Sequence, residues 1–437
     1  MTSPLPPIPW LLRWQGVLAG SHAGPLAARL PLVAGAVLCS LMALLPLISR
    51  EGLSLLIGAS GLLWVLWALQ KPAGGIAPIN GWLLAILAVM VLATGFSPVP
   101  MAAAKGLLKL VSYLGVYALM RQLLAASPVW WNRILAALLT GSLASSVLAI
   151  RQLHGDTEEL ARWADPNSVA DGTIRVYGPL ENPNLLAGYL IPILPLAVVA
   201  LLRWRHVPAR LFALSSLLLG TSALVLSYSR GGWIGMVGAL GVIGLLLALR
   251  RTRFWPTRWR RLFPVLLIGA GVALLVVAVT QVEPLRIRVM SLVAGREDSS
   301  NNFRINVWIA ALQMVQDRPW LGIGPGNNAF NLIYPLYQQP KFNALSAYSV
   351  PLELLVEGGV PALIVSLGLL QRCLRSGLAQ LRGESNLALP ALGALAAIAG
   401  LCLQGATDTI FFRPEVQLTG WFCLATLTVA DAGDSSP

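Results

Sequence analysis

Long apolar stretches, separated by short polar or basic ones, dominate this chain. Each approaches the roughly 20 residues that a helix needs to cross the hydrocarbon core of a membrane. The stretches fall at about 30–49, 53–69, 81–97, 103–124, 130–152, 185–202, 209–227, 231–249, 262–281, 352–371, 387–407 and 414–430. Because lipid offers no partner for backbone polar groups, such stretches are expected to be helical. The pattern predicts an all-α fold, a polytopic membrane bundle of about twelve transmembrane helices.

Two longer polar stretches interrupt this pattern and set the predicted domain boundaries. One spans about 153–184, and the other lies between the ninth and tenth helices. The predicted order is a cytoplasmic N-terminal tail at 1–29, helices over 30–282, a large periplasmic loop at 283–351, three helices over 352–430 and a C-terminal tail at 431–437. Loops this long are either functional or disordered, and the aromatic content of this one favours order. Within it, Asn306 to Val315 is predicted to form a short helix.

Composition and charge agree with a membrane protein and exclude a nucleic-acid partner. The chain is 56% hydrophobic and 11% charged, whereas soluble proteins carry roughly 25% charged residues. Its net charge of +13 comes from arginines clustered between apolar stretches, which is typical of cytoplasmic loops. The strongest cluster runs from Arg250 to Arg261. The asymmetry predicts that both termini lie in the cytoplasm, and the apolar surface predicts membrane lipid as a partner.

A charged residue at the end of an apolar stretch is the first candidate for function. Arg230 follows the stretch ending near Leu226 and precedes Gly231 and Gly232. Charge at the edge of hydrocarbon is costly, so such residues tend to face a cavity, a partner or a ligand. The alternative is that Arg230 only reaches the lipid headgroups. The glycine pair is either a break within one helix or a turn between two.

Further charged residues are predicted to gather on the same outer face. Several cations around one cavity suit phosphate or another anion, because arginine presents a planar fork to such oxygens. Two carboxylates four residues apart on one helical face oppose them. The cations are Arg175, Arg230, Arg304, Lys105 and Lys109, and the carboxylates are Glu353 and Glu357. Lipid headgroup binding and a structural Arg–Glu ion pair between helices are the alternatives.

The sequence gives no reason to expect a metal or a cofactor. None of the three histidines lies in an apolar stretch with a partner at catalytic spacing, and there is no His–Cys cluster. The segment from Leu321 to Asn328 resembles a phosphate loop only superficially, since the required strand and Lys-Ser/Thr helix are missing. It is interpreted as a tight turn. Asn182-Pro-Asn184 is interpreted as a turn before a helix.

Four motifs occur in the order found in the O-antigen ligase and polymerase superfamily. They are Ser229-Arg-Gly-Gly-Trp233, Arg304-x-x-x-Trp308, Pro319-Trp-Leu-Gly-Ile-Gly-Pro-Gly-Asn327 and Leu352-Glu-Leu-Leu-Val-Glu-Gly-Gly359. The chain resembles this superfamily over roughly residues 170–370. Its members transfer a glycan from a polyprenyl-pyrophosphate carrier at the periplasmic face. The resemblance implies that Arg175 and Arg230 hold the pyrophosphate and that Arg304 organises the large loop.

One departure from the ligase pattern points to a subgroup. The ligases carry a His-Asn pair before the Leu-Glu-rich helix, and the resemblance implies a catalytic role for that histidine. Tyr348-Ser349 stands at this place here. The run Phe342-Asn-Ala-Leu-Ser-Ala-Tyr-Ser349 resembles the cyanobacterial IctB family, whose members are described as bicarbonate transporters. That resemblance implies a role in bicarbonate transport or inorganic-carbon accumulation.

Three functions therefore stay open at the level of sequence. The first is an IctB-like protein that handles bicarbonate. The second is a metal-independent glycan transferase that uses a polyprenyl-pyrophosphate donor without the usual histidine, with Glu357, Glu353 and Tyr348 as candidate catalytic residues. The third is a non-catalytic membrane scaffold. The first two predict an anionic ligand, either bicarbonate or the lipid-linked glycan.

Overall fold

The structure, a computed structural model, describes residues 24–70, 77–155, 175–281 and 295–433, with scattered positions between 281 and 295. These residues form helices and no β-strand, which confirms the predicted polytopic helix bundle. Most of the predicted N-terminal tail, the centre of the first long loop at 156–174 and the last residues from 434 lie outside the described part.

Fourteen α-helices make up the described chain. In order they are α1 (Gly24–Leu44), α2 (Arg50–Gln70), α3 (Pro78–Gly95), α4 (Pro100–Ala126), α5 (Val129–Arg151), α6 (Pro183–Arg203), α7 (Val207–Leu226), α8 (Arg230–Arg251), α9 (Thr257–Gln281), α10 (Ser299–Asp317), α11 (Asn327–Ile333), α12 (Val350–Ala379), α13 (Ala388–Gly405) and α14 (Pro414–Gly433). Ten of these, α2 to α9 with α12 and α13, are long and apolar enough to cross a membrane. Helices α1 and α14 coincide with the other two predicted stretches.

Polar caps fix where two of the central helices begin. Asn182 accepts hydrogen bonds through Oδ1 from the backbone N–H groups of Asn184 (2.9 Å) and Leu185 (3.2 Å), so the predicted turn starts α6. Ser229 caps α8 by accepting through Oγ from the N–H of Gly232 at 3.2 Å. The glycine pair therefore follows a turn between α7 and α8 and does not break a single helix.

Helices α6 and α13 form the centre of the bundle, and α9 lies at its edge. In the 18-residue apolar stretch that could cross a membrane, 78% of the residues are buried in α6 and in α13, against 6% in α9. Helix α8 approaches α13 closely, because a Cβ at Gly235 would lie 2.9 Å from the carbonyl oxygen of Gly400. Small residues allow such backbone contacts between membrane helices.

The large loop carries its own ordered core. Helix α10 covers the predicted Asn306–Val315 segment and extends it at both ends. A second apolar cluster joins α10, α11 and the start of α12 through the buried side chains of Val307, Phe330, Tyr334 and Val356. The loop is thereby held against the bundle.

Helix α12 is broken in its first half. Gly359 has φ 68° and ψ −167°, and Pro361 follows it. The break frees backbone groups that the glycine-rich segment of the large loop satisfies. The N–H groups of Ile323 and Gly324 donate to the carbonyl oxygens of Val356 (2.8 Å) and Glu357 (2.9 Å). Non-helical backbone at the level of a membrane requires partners of this kind within the protein.

Candidate functional site

An apolar groove with one polar end lies beside several of the predicted site residues. Its volume is about 410 Å³, and it lies between α3, α4, α12, α13 and α14. The walls are aliphatic and aromatic, with Met90, Leu363, Leu367, Leu370, Ile398, Leu401 and Trp421 among them. The polar end is lined by Lys105, Lys109, Asn327, Asn328 and Glu357. This shape suits a ligand with a long hydrocarbon part and an anionic head.

Two lysines from one face of α4 stand at the polar end. Lys109 donates through Nζ to the carbonyl oxygen of Phe412 at 2.8 Å, and its Nζ lies 5.6 Å from the centre of the Tyr113 ring. Lys105, one turn earlier, is exposed at the groove. Both lysines therefore lie on one face of α4, as the sequence predicted, and their role in binding an anion stays a prediction.

Glu357 faces the same end of the groove from α12. Its Oε1 accepts a hydrogen bond of 2.6 Å from the backbone N–H of Gly326. The side chain is buried, with a relative exposure of 5%. The carboxylate therefore links the broken helix to the glycine-rich turn while contributing to the wall beside the lysines.

The glycine-rich turn from Leu321 to Asn328 is pressed between α4 and α12. Gly322 has φ 59°, and a Cβ on it would lie 2.2 Å from the carbonyl oxygen of Val356. A Cβ on Gly326 would lie 2.7 Å from Cα of Gly106 on α4. The predicted tight turn is confirmed, and these glycines are needed because backbone packs directly on backbone.

Arg230 forms a buried ion pair. Its Nη2 lies 2.9 Å from Oδ1 of Asp298, and the two side chains are 8% and 0% exposed. Asp298 also accepts from the N–H of Asn301 at 3.1 Å and so caps α10. The alternative that Arg230 only reaches lipid headgroups is therefore wrong. The pair ties the start of α8 to the first helix of the large loop.

Arg175 ties the end of the first long loop to the bundle. Its Nε donates to the carbonyl oxygen of Ser227 at 3.0 Å, and its Nη2 donates to Oδ1 of Asn184 at 2.9 Å. The next residue adds a backbone hydrogen bond from Val176 to Leu226 at 3.2 Å. Arg175 thus contacts the end of α7 and the start of α6.

Helix α10 positions Tyr348 through the Arg304-x-x-x-Trp308 motif. Trp308 donates through Nε1 to the carbonyl oxygen of Tyr348 at 3.3 Å. The ring of Phe303 packs edge-on against Tyr348, with centroids 5.3 Å apart. Tyr348 itself has φ 50°, an uncommon value for a residue with a side chain. Arg304 lies one turn before Trp308 on the same face of α10.

Asp408 supplies a buried carboxylate beside this group. Burial raises the pKa of Asp408, and the nearby guanidinium groups of Arg304 and Arg175 act in the opposite direction. Burial also raises the pKa of Tyr348; Asp408 adds to that shift and Arg304 opposes it. Within the described chain, Nε of Arg304 is buried without a hydrogen-bond partner. Arg304 is therefore a cation whose pairing is incomplete.

Glu353 braces the turn that presents Tyr348. Its Oε2 accepts from the N–H of Ala347 at 2.6 Å, and its own N–H donates to the carbonyl oxygen of Ser349 at 2.8 Å. The ion pairs found among the described residues include neither Glu353 nor Glu357. Both carboxylates instead accept backbone N–H groups, so the alternative of an Arg–Glu pair is not found in this part of the chain.

The predicted site residues thus form two neighbouring groups. The first group lines the groove and consists of Lys105, Lys109 and Glu357. The second group surrounds the junction of α10, α12 and the 406–413 segment, and consists of Arg175, Arg230, Arg304, Glu353 and Tyr348. That segment separates them, with Phe412 on the groove and Asp408 beside the arginines. The charge of Arg413 is close enough to act on both Lys109 and Tyr348.

Two aspartates at the site were not predicted from the sequence. Asp298 lies in a polar loop. The sequence signal for it was an aspartate directly before Ser299, where α10 begins, because aspartate is a common N-cap residue. Asp408 follows the apolar stretch of α13 by three residues. Asp408 is a charged residue at the end of a predicted membrane helix, as Arg230 is. The cost of placing charge at the edge of hydrocarbon could therefore have identified Asp408 as well.

One comparison with known protein families finds a match. Residues 215–367 match the family model Wzy_C, described as O-antigen ligase. The matched part runs from α7 into α12 and includes Arg230, Arg304, Tyr348, Glu353 and Glu357. No curated protein matches the chain. The match covers about a third of the chain, and in that part it supports the resemblance to the O-antigen ligase superfamily.

Proposed function

We propose, with the O-antigen ligase family match as the premise, that this protein is a glycan transferase whose donor is carried on a polyprenyl diphosphate. The observation that carries the proposal is the apolar groove that ends at Lys105, Lys109 and Glu357. A polyprenyl diphosphate has the same division into a hydrocarbon chain and an anionic head. In the bacterial inner membrane, this end of the groove would face the periplasm.

The groove would bind the two parts of the donor by different forces. Its aliphatic walls exclude water from the chain, which contributes roughly 25 cal/mol for each Å² of apolar surface buried. Lys105 and Lys109 would attract the diphosphate at the polar end, and the attraction is stronger at the edge of hydrocarbon than in water. The donor sugar would then lie beyond the lysines, towards the large loop.

The chemistry is a substitution at the anomeric carbon of that sugar. A hydroxyl oxygen of the acceptor attacks this carbon, and the bond from the carbon to the diphosphate oxygen breaks. The acceptor proton passes to Glu357 as general base, and polyprenyl diphosphate leaves with the bonding electron pair. The lysines stabilise the charge that develops on the leaving group.

The second group of residues would shape the acceptor side of the reaction. Tyr348 is protonated at neutral pH, since burial raises its pKa above an already high ordinary value, and it would donate a hydrogen bond to the acceptor. Arg304 offers its incompletely paired guanidinium beside it. Arg230, Arg175 and Glu353 hold the surrounding elements through the contacts described above and act as positioning residues.

Bicarbonate transport has no support in the comparisons, and the groove does not favour it. A hydrated bicarbonate ion loses its water contacts along an apolar wall without gaining hydrogen bonds in return. The described walls below the lysines are aliphatic and aromatic over most of their length. A hydrocarbon chain therefore fits the groove better than a small anion does.

The test is a transfer assay with purified protein in liposomes. A labelled glycan on polyprenyl diphosphate is supplied with an acceptor glycan, and the products are separated by size. We expect labelled product from the wild-type protein and a large loss in Glu357→Gln. Glu384→Gln is the matched control, since Glu384 is 87% exposed and pairs with Arg253 away from the groove. Labelled bicarbonate uptake without glycan transfer would overturn the proposal.

A further inference from the structure

A basic cavity lies at the end of α8 that is farthest from Arg230. It has a volume of about 430 Å³ and is lined by Leu249, Thr257, Arg260, Arg261 and Pro264. The lining thus combines two guanidinium groups and a hydroxyl with two apolar side chains. None of these residues belongs to the groove or to the site around Tyr348.

The arginines on the two sides of Pro256 differ in what they contact. Before it, Arg250 donates to the carbonyl oxygens of Gln380 (2.5 Å) and Gly383 (2.8 Å), and Arg253 pairs with Glu384 at 3.6 Å. After it, Arg260 and Arg261 are exposed and take part in no ion pair within the described residues. The first pair anchors the connection after α12, whereas the second faces outwards.

The surroundings of the cavity are those of a membrane–water interface. Helix α9 packs against α8 and the turn Thr252–Phe254, and its remaining surface is an exposed apolar face. Trp255 and Trp259 are 43% and 54% exposed at the start of this face. Tryptophan side chains are enriched at the headgroup level of membranes. A molecule in the cavity would therefore have its head at the headgroup level and its apolar part along α9.

We propose that this cavity binds a phospholipid with an anionic headgroup. The phosphate would accept hydrogen bonds from Arg260, Arg261 and the hydroxyl of Thr257, because the arginine fork matches phosphate oxygens. The acyl chains would lie along Pro264 and the apolar face of α9. The site is independent of the glycan-transferase proposal, since it shares no residue with the groove.

The experiment measures lipid retention by native mass spectrometry. Protein in nanodiscs of equal parts phosphatidylglycerol and phosphatidylcholine is released and scored for bound lipid. Wild-type protein is expected to retain phosphatidylglycerol in preference to phosphatidylcholine, and the Arg260→Gln/Arg261→Gln double variant to lose most of that preference. The control is Arg205→Gln/Arg210→Gln, which removes the same charge from another exposed basic loop.

Three results would overturn the proposal. One is equal loss of retention in both double variants, which would mean general attraction to charge. Another is unchanged retention in Arg260→Gln/Arg261→Gln. The third is displacement of the lipid by millimolar inorganic phosphate, which would mean a site for a free anion. Thermal unfolding of each variant in phosphatidylcholine alone shows whether it is folded, so a misfolded variant is not mistaken for a loss of the site.

Discussion

Arg230 and Asp298 form a buried ion pair of 2.9 Å that joins the start of α8 to the cap of α10. The pair connects a membrane helix to the large loop, so its loss should affect the position of Tyr348 as well as stability. Breaking a buried pair by removing one partner costs about 3–5 kcal/mol, because the remaining charge stays buried.

We expect Arg230→Gln to destabilise the protein by about that amount. The double variant Arg230→Gln/Asp298→Asn should recover part of the loss, since Asn at 298 still caps α10 and no charge is left unpaired. Thermal unfolding in detergent measures both. Additive losses in the double variant would mean that the two residues are not coupled.

The two carboxylates of α12 should respond differently to the same substitution. Glutamine retains an oxygen that accepts a backbone N–H, so Glu353→Gln preserves the contact with Ala347 and should stay near wild-type activity. Glu357→Gln preserves the contact with Gly326 but removes the proposed base, and should lower the transfer rate by about 10²–10⁴-fold. Initial transfer rates compare the variants. Equal losses in both would argue against Glu357 as the base.

The glycine-rich turn should tolerate no side chain at Gly322. Alanine there combines a φ of 59° with a Cβ 2.2 Å from the carbonyl oxygen of Val356. We expect Gly322→Ala to cost about 2–4 kcal/mol of unfolding free energy from strain and overpacking. Gly241→Ala is the control, because a Cβ at that helical position would meet no atom within 4 Å beyond the backbone of its own helix and its chain neighbours. Similar melting temperatures for the two variants would contradict the packing described here.

The pH dependence of transfer should reflect a protonated Tyr348. Burial and Asp408 raise the pKa of the phenol, so the neutral form persists above its ordinary value of about 10. The pKa of Tyr348 is higher in the folded than in the unfolded chain. The contribution of Tyr348 to stability is therefore lost only as the pH rises above about 10. We expect Tyr348→Phe to lower the rate at every pH from 6 to about 9 without changing the shape of the profile. A limb near neutral pH that disappears in Tyr348→Phe would contradict this assignment.

Sequence patterns predicted the helices far better than the contacts among their charged residues. Apolar length is a local property, which is why all of the predicted stretches coincide with helices. The roles of Arg175 and Arg230 depend on partners 9 to 68 positions away, which no local pattern reveals. The sequence did not predict the ion pair between Arg230 and Asp298, because it does not show that the start of α10 lies beside the start of α8.

The groove could not be predicted because its walls come from separate parts of the chain. Lys105 and Glu357 were both singled out as charges in apolar surroundings, but their sequence positions do not show that they line one cavity. Gly322 and Gly326 were interpreted as turn residues, and the close approach of this turn to α12 and to α4 explains why glycine is needed. Asp408 was overlooked because it follows α13 and lies just outside the apolar stretch.

Photo-crosslinking of the donor tests the central claim most directly. A polyprenyl diphosphate carrying a benzophenone near the middle of its chain is irradiated with the protein in liposomes, and adducts are mapped by mass spectrometry. The groove predicts adducts on its walls, at Leu367, Leu370 and Cys402, that decrease in Lys105→Gln and are competed by unlabelled polyprenyl diphosphate. Adducts confined to the exposed face of α9, or adducts that unlabelled donor does not reduce, would contradict the account.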